Sequence, residues 1–370
     1  MAVNLTIKGE DAPVEGFVRY SIDLEAQSQM EKLFESYKPD YGAFVALDAE
    51  TGQILSLVSY SHKPHEIGNL ALKAIFPAAS VFKLVTATAA VDSKKARPDT
   101  VIAFNGANHT LYRKNVTQTA INRWTRYMTL REAFAKSVNT VFGKLGLFVL
   151  KPNEIEAYAR RFKFNEEIPS DIPVEMGSLS IDADDQWSLV ELASGFNRVS
   201  LMSPLQGALM AASVANDGKM MEPYIVDSFL SKDGETTYEA KPKVTSTTMS
   251  VESAGLIRKL MQATASGGTA SKSFRPLLRN RRYAGIEIGG KTGSLKGLYP
   301  KGKCDWFVGY ARSGERKIAI AALTINEETW KVKSAYLARR FIELYFSPTK
   351  RDTSSIRQIT SRRTTSVTAN

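Results

Sequence analysis

The chain places strand-like segments near both of its ends and a long helix-rich stretch between them, and this arrangement limits the possible folds more than any other feature. The early segments are a short strand, a helix and the two strands of a hairpin, at 16–23, 24–37, 43–47 and 53–59. The late segments are three strands followed by an amphipathic helix, at 283–290, 305–312, 317–325 and 332–346. The pattern predicts an α/β fold of the α+β type, with one mixed or antiparallel five-stranded sheet that is fed from both ends of the chain and flanked by helices.

Composition divides the 370 residues into three parts. Residues 1–15 are polar and are predicted to be extended. Residues 16–346 carry the apolar periodicity of a folded domain, and a large all-helical subdomain, about 75–280, is predicted to be inserted in the sheet. The tail 347–370 contains 11 Ser or Thr residues, five basic residues and almost no bulky apolar side chains. Such a composition predicts disorder.

Composition also excludes several classes of site. One cysteine rules out a disulfide framework and a cysteine-built zinc site, and with three histidines a His-rich metal site is not expected. His62 and His65 stand in a polar stretch and are interpreted as surface residues. No segment reaches the roughly 18 apolar residues of a membrane span, and the N-terminus does not resemble a signal peptide. The net charge of +11 favours an anionic partner without identifying it.

The first candidate for chemistry is Ser80, which stands where an apolar helix is predicted to begin, with Lys83 one turn further on. A lysine in such a helix is partly desolvated, which lowers its pKa and allows it to take the proton of a neighbouring hydroxyl. Backbone N–H groups at the helix start would hold an oxyanion. The simpler interpretation is that Ser80 caps the helix and Lys83 extends to water.

The second candidate is the pair Ser137 and Asn139. It follows a capping box that starts at Thr129 and lies in a predicted tight connection between two helices. There a hydroxyl can relay a proton and an amide can hold a peptide carbonyl. The alternative is an ordinary turn that uses Ser and Asn for local hydrogen bonds.

The third candidate is the run Lys291, Thr292, Gly293 and Ser294, placed at the end of the predicted strand 283–290. Glycines allow another backbone to come close, and the lysine and hydroxyls are suited to clamp the carboxylate of a peptide bound along the strand edge. A phosphate-binding loop is the competing interpretation, but the upstream glycine has the wrong spacing for it.

The three motifs, Ser-x-x-Lys, Ser-x-Asn and Lys-Thr-Gly, follow one another in the order known for serine penicillin-recognising acyltransferases. The chain from about 16 to 346 resembles the transpeptidase domain of penicillin-binding proteins of the high-molecular-weight kind. Besides the motifs, the blocks that carry the resemblance are VRYSIDLEAQ, GAFVALDAETGQILSLVS, TLREAFAKSVNTVFGKLG, SPLQGALMAASVANDGKMMEP and DWFVGYA. The chain departs from the family in FPAAS before the nucleophile and in 60–74, which lacks the frequent Pro-Ser-Phe-Asp-Pro run.

The resemblance implies a role for each motif residue. Ser80 would be the acyl-accepting nucleophile and Lys83 its general base, and Ser137 would shuttle protons with Lys83. Asn139 would hold the donor peptide. The carboxylate of the donor, or of a β-lactam, would bind to Lys291 and Thr292, with Gly293 in the same motif. The backbone N–H groups of Ser80 and Ser294 would form the oxyanion hole.

The implied reaction is peptidoglycan D,D-transpeptidation with D-Ala-D-Ala stem peptides, without metal or organic cofactor. The implied partners are stem peptides, β-lactam antibiotics and a cell-wall glycosyltransferase. The implied location is the cell envelope, on the outer (periplasmic) side of the cytoplasmic membrane. No glycosyltransferase domain, pedestal or anchor is recognised, which leaves a fragment or a reduced member of the family as alternatives.

Other functions remain open. A D,D-carboxypeptidase would use water as the acceptor. A β-lactamase of the same fold is disfavoured because 165–175 lacks the Glu-x-x-x-Asn spacing of class A enzymes. A non-catalytic penicillin-recognising module is disfavoured by the three intact motifs. Nucleic-acid binding has only the basic run 275–282 and the tail in its favour and is not expected.

Overall fold

The computed structural model describes residues 2–5, 14–64, 67–182 and 185–347. The predicted tail beyond Ser347, His65 and most of the predicted extended segment 1–15 lie outside the described residues. The strands are β1 Ala2–Leu5, β2 Val14–Tyr20, β3 Tyr41–Asp48, β4 Ile54–Ser61, β5 Phe76–Pro77, β6 Val101–Phe104, β7 Arg126–Thr129, β8 Leu201–Met202, β9 Lys219–Met221, β10 Val226–Ser231, β11 Thr236–Glu239, β12 Val244–Thr247, β13 Glu287–Gly297, β14 Gly302–Ser313 and β15 Arg316–Asn326. The helices are α1 Leu24–Tyr37, α2 Lys83–Asp92, α3 Arg113–Thr117, α4 Leu130–Ala135, α5 Asn139–Lys144, α6 Pro152–Arg161, α7 Gln186–Ser194, α8 Pro204–Ala215, α9 Val251–Ser266, α10 Ser271–Leu278 and α11 Ser334–Tyr345.

The central sheet has the strand order β13-β14-β15-β3-β4 and is antiparallel throughout. The predicted five-stranded sheet built from both ends of the chain is therefore confirmed. The sequence left a mixed or an antiparallel sheet open, and the sheet is antiparallel. Residues of β3 alternate between two apolar layers. Val45 faces the layer that contains Leu205 of α8, and Phe44 faces the layer that contains Phe34 of α1 and Phe341 of α11. Because both faces of the sheet are covered, the inner strands β3 and β15 are buried along most of their length and are mainly apolar.

Three details differ from the sequence-based expectations. The strand predicted at 283–290 begins at Glu287 and continues to Gly297, so the Lys-Thr-Gly motif lies inside β13 rather than at its end. Residues 281–283 form a 3₁₀ turn instead. The inserted segment is not wholly helical, because it also carries short antiparallel strand pairs such as β10 with β11 and β12 with β9.

The predicted helix over 24–37 agrees with α1, which Asp23 caps by accepting a hydrogen bond from the Ala26 amide. His62 is exposed, as predicted. In the part of the chain that the structure describes, no helix combines the length and the apolar character that crossing a bilayer requires.

Candidate active site

Ser80 lies in a single 3₁₀ turn, Ala79–Phe82, that leads directly into α2. The first residue of the turn, Ala79, has a left-handed conformation with φ of 50°, which L-residues rarely adopt unless the surroundings hold them there. Trp306 supplies one such contact, because its indole Nε1 donates to the Pro77 carbonyl at 3.0 Å. The sequence predicted Ser80 at a helix start, and the structure places it in the 3₁₀ turn, three residues before α2 begins at Lys83.

Lys83 is fully buried in α2, and its ammonium group donates three hydrogen bonds. They go to Ser80 Oγ at 2.9 Å, to Asn139 Oδ1 at 2.7 Å and to the carbonyl of Ser194. None of these partners is a carboxylate. Burial lowers the pKa of Lys83 well below its usual value, and the charge of Lys291 lowers it further. The arrangement provides an amine, whose neutral form is favoured by burial, in hydrogen-bond contact with a hydroxyl.

Ser137 lies in the connection between α4 and α5, as predicted, whereas Asn139 is the first residue of α5, one position before the predicted helix start. The capping box of Thr129 and Glu132 starts α4, and the left-handed conformation of Ser137, with φ of 54°, turns the chain after it. The Asn139 side chain donates from Nδ2 to the His109 carbonyl at 2.9 Å while its Oδ1 accepts from Lys83. Both ends of the amide are thus fixed.

Lys291 is fully buried within β13 and donates to Ser137 Oγ at 3.0 Å and to the Thr292 carbonyl at 2.7 Å. Burial lowers the pKa of Lys291 to about 7. The hydroxyls of Thr292 and Thr269 are hydrogen-bonded to each other. Lys291 therefore joins the second and third motifs through one side chain.

Two glycines allow the backbone segments of the site to approach one another. A Cβ atom on Gly293 would lie 3.3 Å from the Val81 amide nitrogen and 3.4 Å from the Ala78 carbonyl oxygen. Gly195, with φ of 64°, would place a Cβ atom 1.9 Å from the Ala79 carbonyl oxygen. Gly195 has no room for a side chain, and at Gly293 the neighbouring atoms would have to move by a few tenths of an ångström, so both glycines favour the close packing of β13 and α7 against the Ser80 turn.

The predicted site residues meet around one open cavity of about 480 Å³. Six of them line it directly: Ser80, Ser137, Asn139, Thr292, Gly293 and Ser294. The other two, Lys83 and Lys291, lie behind this surface and reach it through their hydrogen bonds to Ser80 and Ser137. The structure thus brings together residues that are far apart in the chain.

Several residues at the cavity were not predicted. His109 lines it, and burial, assisted by the charges of Lys83 and Lys291 and opposed by a hydrogen bond to the Ser137 backbone, lowers the pKa of its imidazole. Thr269 also lines the cavity. The two glycines before it, Gly267 and Gly268, were the one sequence signal that could have pointed to this segment. No group of three His, Cys, Asp or Glu residues suited to hold a metal ion occurs in the described ranges.

Comparison with known proteins agrees with this geometry. The family model described as penicillin binding protein transpeptidase domain matches residues 42–343. Peptidoglycan D,D-transpeptidase PbpA of Mycolicibacterium smegmatis is 29% identical over 318 residues, which cover 77% of this chain and 62% of the relative. Penicillin-binding protein PbpB of the same organism is 28% identical over 321 residues, which cover 80% of this chain and 47% of the relative. The chain spans about three-fifths or less of the length of these relatives.

Solved structures have the same fold. Penicillin-binding protein A from Mycobacterium tuberculosis, in an imipenem acyl-enzyme complex, matches with a TM-score of 0.73 at 25% identity, covering 90% of this chain and 80% of that one. Penicillin-binding protein 3 from M. tuberculosis, complexed with aztreonam, matches with a TM-score of 0.76 at 21% identity, covering 94% and 82%. The family match over most of its length shows that the chain belongs to the penicillin-binding protein transpeptidase family.

Proposed function

We propose that the protein is a peptidoglycan D,D-transpeptidase that forms an acyl-enzyme at Ser80 from D-Ala-D-Ala stem peptides and transfers the acyl group to an acceptor amine. The observation that carries the proposal is the 2.9 Å contact between Lys83 Nζ and Ser80 Oγ, made where no carboxylate pairs with the lysine. A serine nucleophile needs a base within hydrogen-bond reach, and burial favours the neutral form of this one.

In the first step Ser80 Oγ attacks the carbonyl carbon of the penultimate D-Ala residue, and the Ser80 proton passes to Lys83 Nζ. The developing oxyanion accepts hydrogen bonds from the backbone N–H groups of Ser80 and Ser294. When the C–N bond breaks, the leaving amine of the terminal D-Ala takes up a proton from the Lys83 and Ser137 network. The terminal carboxylate binds to Thr292, beside the positive charge of Lys291.

In the second step the acceptor amine attacks the ester carbonyl of the acyl-enzyme, and the new peptide bond is the cross-link. The acceptor nitrogen loses a proton to the same network, and Ser80 Oγ regains one as the ester bond breaks. A β-lactam follows the first step only, because ring opening leaves no separate group to depart. It therefore acylates Ser80 and remains attached.

A fluorescent penicillin tests the acylation chemistry. The wild-type protein is expected to acquire one covalent label, located on Ser80 by mass spectrometry of peptides, and Ser80→Ala is expected to acquire none. Ser213→Ala is the matched control, since this serine is buried in α8 and its Oγ donates only to the Met210 carbonyl at 2.9 Å. Equal labelling of Ser80→Ala would contradict the proposal.

The acceptor decides between transferase and carboxypeptidase. Stem peptides are supplied with and without an amine acceptor, and cross-linked product supports transpeptidation, whereas tetrapeptide alone supports the carboxypeptidase. Intact-protein mass spectrometry follows the lifetime of the penicillin adduct. Rapid loss of the adduct would favour a β-lactamase instead. The same proposal places the protein in the cell envelope, on the outer side of the cytoplasmic membrane, where stem peptides, β-lactams and a glycosyltransferase partner occur.

A further inference from the structure

Two lysines at one end of the cavity lie beside Trp330, which does not itself line the cavity. The ammonium of Lys333 lies 3.5 Å from the centroid of the Trp330 ring, and the ammonium of Lys303 lies 5.0 Å from it. Both lysines line the same cavity as Ser80. Two cations therefore share one aromatic ring at the edge of the candidate active site.

The charges at this end are unbalanced. Asp305 is the single carboxylate among the described residues that line the cavity. It is already bound, because it accepts from Lys333 Nζ at 3.2 Å and from the Ser334 amide at 2.9 Å. Lys303 pairs with no carboxylate of the described residues. Lys333 has an occupied carboxylate and Lys303 has none among the described residues, so this pair of ammonium groups attracts a further anion.

The strand register places this group at a defined distance from the reacting atoms. Ser294 pairs with Asp305, and Lys296 pairs with Lys303. With a rise of about 3.3 Å per residue, Lys296 lies roughly 13 Å along β13 from Thr292. A donor peptide with its terminal carboxylate at Thr292 and its scissile carbonyl at Ser294 must continue toward Lys296 and Lys303.

We propose that Lys303, Lys333 and Trp330 form a second anion-binding subsite, which binds a side-chain carboxylate on the donor peptide. The proposal rests on the proposed function, because that function fixes the direction of the peptide along β13. The carboxylate belongs to the side chain of the residue third from the C-terminus, because one residue of extended chain beyond the scissile carbonyl at Ser294 covers about half the way to Lys296 and a glutamate-length side chain covers the rest. The apolar stem of that residue packs on Trp330, and its carboxylate replaces the missing partner of Lys303.

Two synthetic peptides that differ in one charge test the subsite. They are N-acetyl-X-D-Ala-D-Ala with X as glutamate or as glutamine, which have nearly the same shape. Their equilibrium Kd values are measured by calorimetry with Ser80→Ala, so that no acylation occurs. The glutamate peptide is expected to bind about fivefold more tightly, and added salt is expected to reduce this ratio.

Lys303→Gln, made in the Ser80→Ala protein, is expected to bring the ratio of the two peptide Kd values close to one. Lys303→Arg is expected to keep this ratio. Lys301→Gln is the matched control, because this exposed lysine stands two residues before Lys303, in the turn that precedes β14, and does not line the cavity. Equal binding of the two peptides, absence of binding by the glutamate peptide, or an unchanged ratio in Lys303→Gln would overturn the subsite. Failure of penicillin to label wild-type Ser80 would overturn the proposed function instead, and the Kd ratio does not depend on that result.

Discussion

Ser137 accepts its hydrogen bond from Lys291, at 3.0 Å, and not from Lys83. The described hydrogen bonds of Lys83 go to Ser80, Asn139 and the Ser194 carbonyl. The family resemblance pairs Ser137 with Lys83, so the arrangement found here adds a second lysine to the expected proton network. Through Lys291, the hydroxyl of the second motif is tied to the strand that carries the third.

Replacing Ser137 with alanine is therefore expected to slow acylation. The substitution removes the hydroxyl partner of Lys291 and a relay for protons near Ser80, and loss of such a group typically costs ~10²-fold in rate or more. The rate constant for acylation by penicillin, from rapid-mixing fluorescence, measures the effect. Ser213→Ala, a buried serine distant from these lysines, is the control. An acylation rate for Ser137→Ala that equals the wild-type rate would show that this hydroxyl takes no part.

Lys83→Met separates the role of this lysine in chemistry from its role in folding. Methionine fills a similar volume without a charge, so acylation is expected to fall by ~10²-fold or more. The free energy of unfolding is expected to stay within about 2 kcal/mol of wild type, because removal of a desolvated cation offsets the hydrogen bonds lost by Asn139 and Ser194. Urea denaturation and penicillin labelling check the two outcomes. Labelling at the wild-type rate would show that another base serves Ser80.

Acylation is expected to follow a bell-shaped pH profile. Its rate rises with pH as Lys83, whose pKa is lowered by burial, becomes neutral. It falls again above a pH of about 7, where Lys291 loses the charge that attracts the carboxylate. The second-order acylation rate measured from about pH 5 to about pH 10 tests the shape. His109 also faces these lysines, so His109→Gln is measured in parallel to identify the acidic limb.

The low pKa of Lys291 also affects stability. Since the folded-state pKa of about 7 lies below the ordinary value of 10.5, the unfolded chain binds more protons between these two values. Stability contributed by this group is therefore lowest below about pH 7 and rises through that window. Lys291→Met is expected to flatten this part of the curve of unfolding free energy against pH. An equally steep curve in the variant would assign the rise to another group.

The sheet and the three motifs were predictable because each depends on local pattern. The alternation in 43–59 and 305–325 specifies strands, and Thr129 with Glu132 specifies the start of α4 without tertiary information. The same local pattern placed the end of the third-motif strand too early. Gly289 and Gly290 are usual strand breakers, whereas here they let the rings of Tyr310 and Phe307 pack against the backbone.

Contacts between distant segments were not predictable. The carbonyl of Ser194 carries no side-chain pattern, and its bond to Lys83 exists because Gly195 brings the end of α7 against the Ser80 turn. Lys303 lies in β14 and Lys333 stands at the N-cap of α11, and only the packing of α11 on the sheet brings both lysines to one cavity. The chemistry of the motifs was therefore evident from the chain, while the shape and charge of the remaining cavity required the fold.

Gly195→Ala is expected to destabilise the protein and to reduce acylation together. The new Cβ atom would meet the Ala79 carbonyl oxygen at 1.9 Å, and the positive φ adds strain, so a loss of ~1–3 kcal/mol or more is expected. Gly255→Ala is the contrasting variant. It lies in α9, where the nearest atom is the far end of Arg258 at 3.6 Å, and a gain of about 0.5–1 kcal/mol is expected. Equal unfolding free energies for the two variants would contradict this account of Gly195.

Thr269→Val tests whether the unpredicted threonine orients the hydroxyl of Thr292. Valine keeps the shape but removes the hydrogen bond between the two hydroxyls, so binding of a carboxylate at Thr292 is expected to weaken by about fivefold to tenfold. The effect should fall on the concentration of penicillin that gives half-maximal acylation and not on the limiting rate. Penicillin methyl ester, which lacks the carboxylate, should react equally with both proteins. Thr88→Val is the control, because the Thr88 hydroxyl is buried without a partner in the described structure. A loss of limiting rate in Thr269→Val, for penicillin and ester alike, would show that Thr269 maintains the site rather than the carboxylate contact.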